Sequence, residues 1–138
     1  MPKGIFHAVV LTDDLESTIR FLHDVSGIRP VRRYGPEPEQ LRAAFGWPVH
    51  DPTQAAIIGE GPGMLEVIEI PPTLRGEVGT GVSLLAVATT DVKERVEAAR
   101  AAGFDPDAVR TAVGADGMSI TVAPVWVGGV GYEFVRFG

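Results

Sequence analysis

Two stretches of this chain, 77 positions apart, share one layout, and that repeat limits the fold more than any other feature. Residues 5–11 form an apolar, strand-like run that passes through Thr12-Asp13-Asp14 into a segment where Leu15, Ile19, Leu22 and Val25 recur at helical spacing until Gly27. Residues 82–88 pass in the same way through Thr89-Thr90-Asp91 into Val92, Val96, Ala99 and Ala102, and stop at Gly103. Val10, Thr12 and Asp14 coincide with Val87, Thr89 and Asp91. A short carboxylate ahead of a helix accepts hydrogen bonds from the free amides of the first turn. Asp13 or Asp14 and Asp91 therefore read as N-caps, with Glu16 and Glu94 at capping-box positions and the glycines as left-handed helix ends.

Each helix is followed by more strands than helices. Residues 54–58 and 64–70 read as a hairpin around Gly59-Glu60-Gly61-Pro62-Gly63, and residues 119–123 and 132–137 as another around the glycines at 128–131. Residues 37–45, led by proline, read as one short extra helix, and residues 73–80 as a polar connection. Each half is thus a strand, a helix and about three strands. The 17 glycines and 11 prolines fall largely at helix ends and turns, as short elements require. Neither glycine-rich turn runs from a strand into a helix N-terminus, so neither reads as a phosphate loop.

A chain of 138 residues buries about two-thirds of its surface, enough for one core, so a single domain over 1–138 is expected, with halves at about 4–72 and 80–138. The net charge of −6 opposes binding to nucleic acid or to anionic membrane surfaces. There is no cysteine, which removes disulfides and thiolate metal sites. The N-terminal region, with Lys3 and a short apolar run, lacks a signal-peptide pattern, and a cytoplasmic protein is the expectation.

His7, seven positions before Asp14, together with Phe21, the helix end at 24–27, Leu65-Glu66-Val67-Ile68 and Tyr132-Glu133-Phe134-Val135, resembles the vicinal oxygen chelate superfamily of glyoxalases, bleomycin-resistance proteins and extradiol dioxygenases. The resemblance implies an α+β fold of two tandem βαβββ modules whose curved mixed sheet surrounds a cavity, usually as a homodimer. It also implies up to four inward-facing metal ligands from the first and fourth strands of each module. Strand alternation supports the placement: if helices cover the Phe6, Leu65 and Phe134 faces, then His7, Glu66 and Glu133 all lie on the concave face. The fourth ligand position is Leu84, seven residues before Asp91. What remains is one imidazole and two carboxylates, a set able to hold Mn²⁺, Fe²⁺, Ni²⁺ or Zn²⁺ with open positions for substrate oxygens. Without metal, repulsion between the two glutamates raises the pKa of one, leaving an acid and a base in one pocket.

Leu84, Met64, Trp47, His50 and Trp126 are the candidate pocket wall, and Tyr34 is a further aromatic candidate. His23 reads as a surface residue, and Arg29, Arg32 and Arg33 as part of a solvated strand. The first functional expectation is a small-molecule lyase, isomerase or epimerase in which Glu66 and Glu133 are catalytic, with or without the metal. Extradiol cleavage fits less well, because Leu84 removes a histidine that the resemblance requires for it. The alternative is a metal-free homodimer that binds an apolar compound, as bleomycin-resistance proteins do.

Overall fold

Thr12 and Thr89 perform the same task in the two halves, which explains the shared Thr-x-Asp spacing. The Asp14 carboxylate accepts from the Ser17 amide at 3.0 Å and the Asp91 carboxylate from the Glu94 amide at 3.0 Å, so each aspartate caps its helix. The amides of Asp14 and Asp91 in turn donate to the hydroxyls of Thr12 (3.1 Å) and Thr89 (3.3 Å). The threonines thus take the reciprocal role expected of Glu16 and Glu94. Glu16 is instead paired with Arg33, and Glu94 with Arg95. A true box closes the extra helix, where the Gln40 side chain accepts from the Glu37 amide at 2.9 Å.

The computed structural model describes residues 5–48, 52–113, 117–128 and 130–138. The first half runs β1 (His7–Thr12), α1 (Leu15–Arg20), β2 (Val31–Tyr34), α2 (Pro38–Phe45), β3 (Ala55–Ile58) and β4 (Met64–Glu69). The second runs β5 (Gly81–Ala88), α3 (Val92–Ala101), β6 (Arg110–Val113), β7 (Ser119–Val127) and β8 (Val130–Phe137). The first amphipathic segment is not α-helical to its end, because a π-helical turn at Phe21–Val25 follows α1 before Gly27 reverses the chain at φ 73°. Gly131, expected in a turn, is the second residue of β8.

All eight strands form one sheet in the order β2-β3-β4-β1-β5-β8-β7-β6. β1 pairs parallel with β4, β5 pairs parallel with β8, and the halves meet where β1 and β5 run antiparallel. On one face α1 places Leu15 and Ile19 on Ala56, Ile58 and Val67, with Leu65 alongside, and α3 places Val92 and Val96 on Ala123, with Phe134 alongside. Phe6, ahead of β1, is not under a helix; its ring meets His7 edge-on and lies 5.9 Å from Phe137. On the other face α2 crosses from the first half to the second: Leu41 joins Val9, Ile68 and Leu84, while Ala43 joins Ala86, Ala112, Val122 and Val135. Among the described residues, no helix is long and apolar enough to cross a membrane.

Candidate active site

Register fixes where the polar side chains emerge. His7 lies opposite Ala86 on β5, and Ala86 lies opposite Glu133 on β8, so these three share one face in one row across the seam. In the next row Glu66 lies opposite Val9, Val9 opposite Leu84, and Leu84 opposite Gly131. Both rows face α2, and His7, Glu66 and Glu133 line one cavity of about 280 Å³. Its wall is otherwise mainly apolar and includes Val9, Ile57, Ile68, Leu84, Val122 and Val135, while α2 contributes Gln40, Leu41, Ala44 and Phe45. Residues of both halves of a single chain complete the enclosure.

The two carboxyl groups have unlike surroundings. The Glu66 Oε1 accepts a hydrogen bond of 2.8 Å from the Tyr34 hydroxyl, and its Oε2 lies 3.4 Å from His7 Nε2. Burial, the charge of Glu66 and this hydrogen bond push the Tyr34 phenol up, so it stays a neutral donor. Glu133 is 6% exposed, and burial first, then the charge of Glu66, pushes its carboxyl up to about 8. At neutral pH Glu133 is therefore mostly a protonated acid. Its Oε2 and the Nδ1 of His7 are buried without a hydrogen-bond partner. Buried polar atoms seldom stay unpaired, so both are free to meet a ligand.

Of the expected wall residues that are described, Leu84 lines the cavity and Met64, Trp47 and Trp126 do not. Trp47 is 8% exposed but belongs to the core, stacked on Phe45 at 4.5 Å, and Phe45 presents the wall in its place. Trp126 lies at the far end of the Glu66 row, opposite Gly131, and is 57% exposed. Met64 opens β4 beside the Gly59 turn and is half-buried away from the wall. His50 lies outside the described residues. Tyr34 is in the cavity, but as the hydrogen-bond donor to Glu66 rather than as an apolar wall alone. Gln40 was not expected there; the Pro38-led helix start was legible, but not that α2 turns this face to the sheet. His23 is a surface residue that bonds Asp24 at 2.7 Å, and Arg33 pairs with Glu16 in solvent.

The family model described as Glyoxalase/Bleomycin resistance protein/Dioxygenase superfamily matches residues 4–124. The chain belongs to that superfamily. Solved structures of this fold superimpose closely. Methylmalonyl-CoA epimerase from Mycobacterium tuberculosis matches at 17% identity and TM-score 0.68, over 98% of this chain and 88% of that one. A Streptomyces coelicolor methylmalonyl-CoA epimerase variant, solved with 2-nitronate-propionyl-CoA, matches at 19% identity and TM-score 0.68, over 99% and 95%. A hypothetical protein from Bacillus halodurans matches at 17% identity and TM-score 0.68, over 96% and 93%. At these identities the likeness establishes the fold. A comparison with curated proteins gave no match.

Superfamily members often hold a divalent ion, and the resemblance assigned it here to His7, Glu66 and Glu133. The side chains do not fit that assignment. Among the described residues no group of three or more His, Asp or Glu side chains is gathered to hold an ion. Glu66 is turned toward Tyr34, and the fourth corner is Leu84, 1% exposed and packed on Gly131.

Proposed function

We propose that this superfamily member is a small-molecule isomerase or epimerase that moves a proton on a carbon next to a carbonyl, with Glu66 as the base and Glu133 as the acid. One observation carries the reading: two carboxyl groups face one cavity in unlike surroundings, Glu66 accepting from the Tyr34 hydroxyl and Glu133 buried without a partner on Oε2, its carboxyl pushed up to about 8. Such a pair is what general acid–base catalysis at neutral pH requires. Glu66 takes the proton from carbon while Glu133 gives its own to the carbonyl oxygen, so an enol forms and no net charge accumulates. In an isomerisation Glu66 returns its proton to the neighbouring carbon of an enediol while Glu133 takes a proton from the other oxygen; in an epimerisation Glu133 takes back the enol proton, a solvent proton enters the opposite face of the same carbon and Glu66 releases its own to solvent. The fold shared with methylmalonyl-CoA epimerases supports the reaction class.

The test is exchange of the α-proton of α-hydroxyketones in D₂O, followed by NMR, with wild type, Glu66→Gln and Glu133→Gln. Each variant is expected to lose about 10²- to 10⁴-fold in exchange rate. Saturable binding without exchange in wild type would sink the enzyme reading. It would favour a metal-free binding protein, which the apolar wall and Leu84 also suit. The homodimer, in this reading, is two complete sites side by side; sedimentation is expected to give twice 14.6 kDa with activity unaffected by dilution to monomer.

A further inference from the structure

We infer that the cavity selects an uncharged ligand: a compound with an apolar body and a hydroxyl or keto oxygen, carrying neither an anionic nor a cationic group on the end that meets Glu66 and Glu133. The inference rests on the acid–base reading and adds the charge and shape of the substrate.

Among the described residues lining the cavity there is no lysine or arginine. Arg33 binds Glu16 on the α1 side of the sheet, and Arg110 donates to the Arg42 carbonyl at 3.1 Å. Glu133 already brings a buried carboxyl group into this space. It is 6% exposed and shares the mainly apolar cavity with Glu66, so a ligand carboxylate would be a third carboxyl group brought into the same space. A cation fares no better, since the Glu66 carboxyl group is already engaged: Tyr34 donates to one oxygen and His7 stands against the other. Bringing an ammonium out of water into a mainly apolar enclosure without a free partner is costly.

The positive requirements are set by the same atoms. Glu133 has a buried oxygen without a partner that can share a hydrogen bond with a hydroxyl or keto group, and the unpartnered Nδ1 of His7 can bond a hydroxyl. Val9, Ile57, Ile68, Leu84 and Val122 then enclose the hydrocarbon remainder.

The experiment uses three probes with one body and different charge: phenylacetylcarbinol, which is neutral, mandelate, which has a carboxylate in place of the acetyl group, and phenylpropanolamine, which has an ammonium. Acetoin and lactate form a smaller matched pair. Titration calorimetry at neutral pH is expected to show the neutral member binding at least about tenfold more tightly than its charged counterparts. In Glu66→Gln, discrimination against mandelate is expected to fall by about tenfold, since the repelling charge is gone. Equal or tighter binding of mandelate or phenylpropanolamine overturns the inference. So does failure of both phenylacetylcarbinol and acetoin to bind at millimolar concentration, or unchanged discrimination in Glu66→Gln. Selective binding of the neutral probes without proton exchange would leave this inference standing while removing the proposed reaction; exchange with charge-indifferent binding would do the reverse.

Discussion

Tyr34 and Glu66 are 32 residues apart in the chain, yet the tyrosine hydroxyl donates across 2.8 Å to the glutamate. Tyr34→Phe removes that donor and leaves a part-buried carboxylate oxygen unsatisfied. A loss of about 1–3 kcal/mol in stability is expected by chemical denaturation. The rate of α-proton exchange is expected to fall as well, with Kd for a neutral ketone changed little. A variant as stable and as fast as wild type would show that the contact positions nothing.

Glu133 gives the protein a defined response to pH. Its carboxyl titrates at about 8 in the folded protein against an ordinary 4.5, so between those values the native state keeps a proton that the unfolded chain has lost. Stability therefore falls as pH rises from about 4.5 to about 8, by at most about 1.4 kcal/mol per pH unit from this group, and levels off above. Glu133→Gln is expected to remove this dependence. Melting curves across pH compare the two directly, and parallel curves would refute the assignment. Catalysis by the protonated form is expected to decline above pH 8 in the same way.

Gly131 is required by its neighbours and not by its backbone angle. A Cβ there would come within 2.6 Å of Leu84 Cδ2, 2.9 Å of the Ser83 carbonyl oxygen and 3.0 Å of the Trp126 ring. Gly131→Ala is expected to cost about 1–3 kcal/mol in urea denaturation, as overpacking does. Adding Leu84→Ala should recover only part of this, because the Ser83 carbonyl is main chain and cannot step aside. Full recovery would assign the whole clash to the leucine.

Leu84 also closes the fourth corner of the ligand set. Wild type is expected to show no rise in melting temperature with Ni²⁺ or Zn²⁺. Leu84→His, which places a nitrogen in the row of Glu66, is expected to gain a rise of several degrees at saturating ion through linkage. Stoichiometric metal in wild type purified without chelators would overturn the first expectation.

Much of the sheet could be read in advance because its information is local. Alternation along β1, β4 and β8, with the faces of the three strands matched through the resemblance, put His7, Glu66 and Glu133 on one face, and the Thr-x-Asp repeat marked both helix starts. The role of Tyr34 was hidden because β2 is short, half-polar and paired with a strand more than twenty residues later. Aromatic identity announced burial for Trp47 but not the side: the core under α2 and the cavity wall are both apolar, and Phe45 took the wall. Trp126 and Met64 share the right face of their strands but stand beyond the region that α2 covers. Periodicity gives a face; it does not give the extent of a roof.

The register between strands also makes a comparison that neither half makes alone. Two positions beyond Glu66, Ile68 lies opposite Ala55 and Ala55 opposite Tyr34; two beyond Glu133, Val135 lies opposite Val122 and Val122 opposite Arg110. Tyr34 and Arg110 thus hold matching register positions on the two outermost strands, β2 and β6. Tyr34 turns inward to its glutamate. Arg110 turns outward, tethered to the last turn of α2 through the Arg42 carbonyl. Were both copies alike, with a guanidinium beside Glu133, the cavity would hold two anions and no acid. Burial and Glu66 act on the Glu133 carboxyl, and Arg110, held at the Arg42 carbonyl, is not among the groups that do.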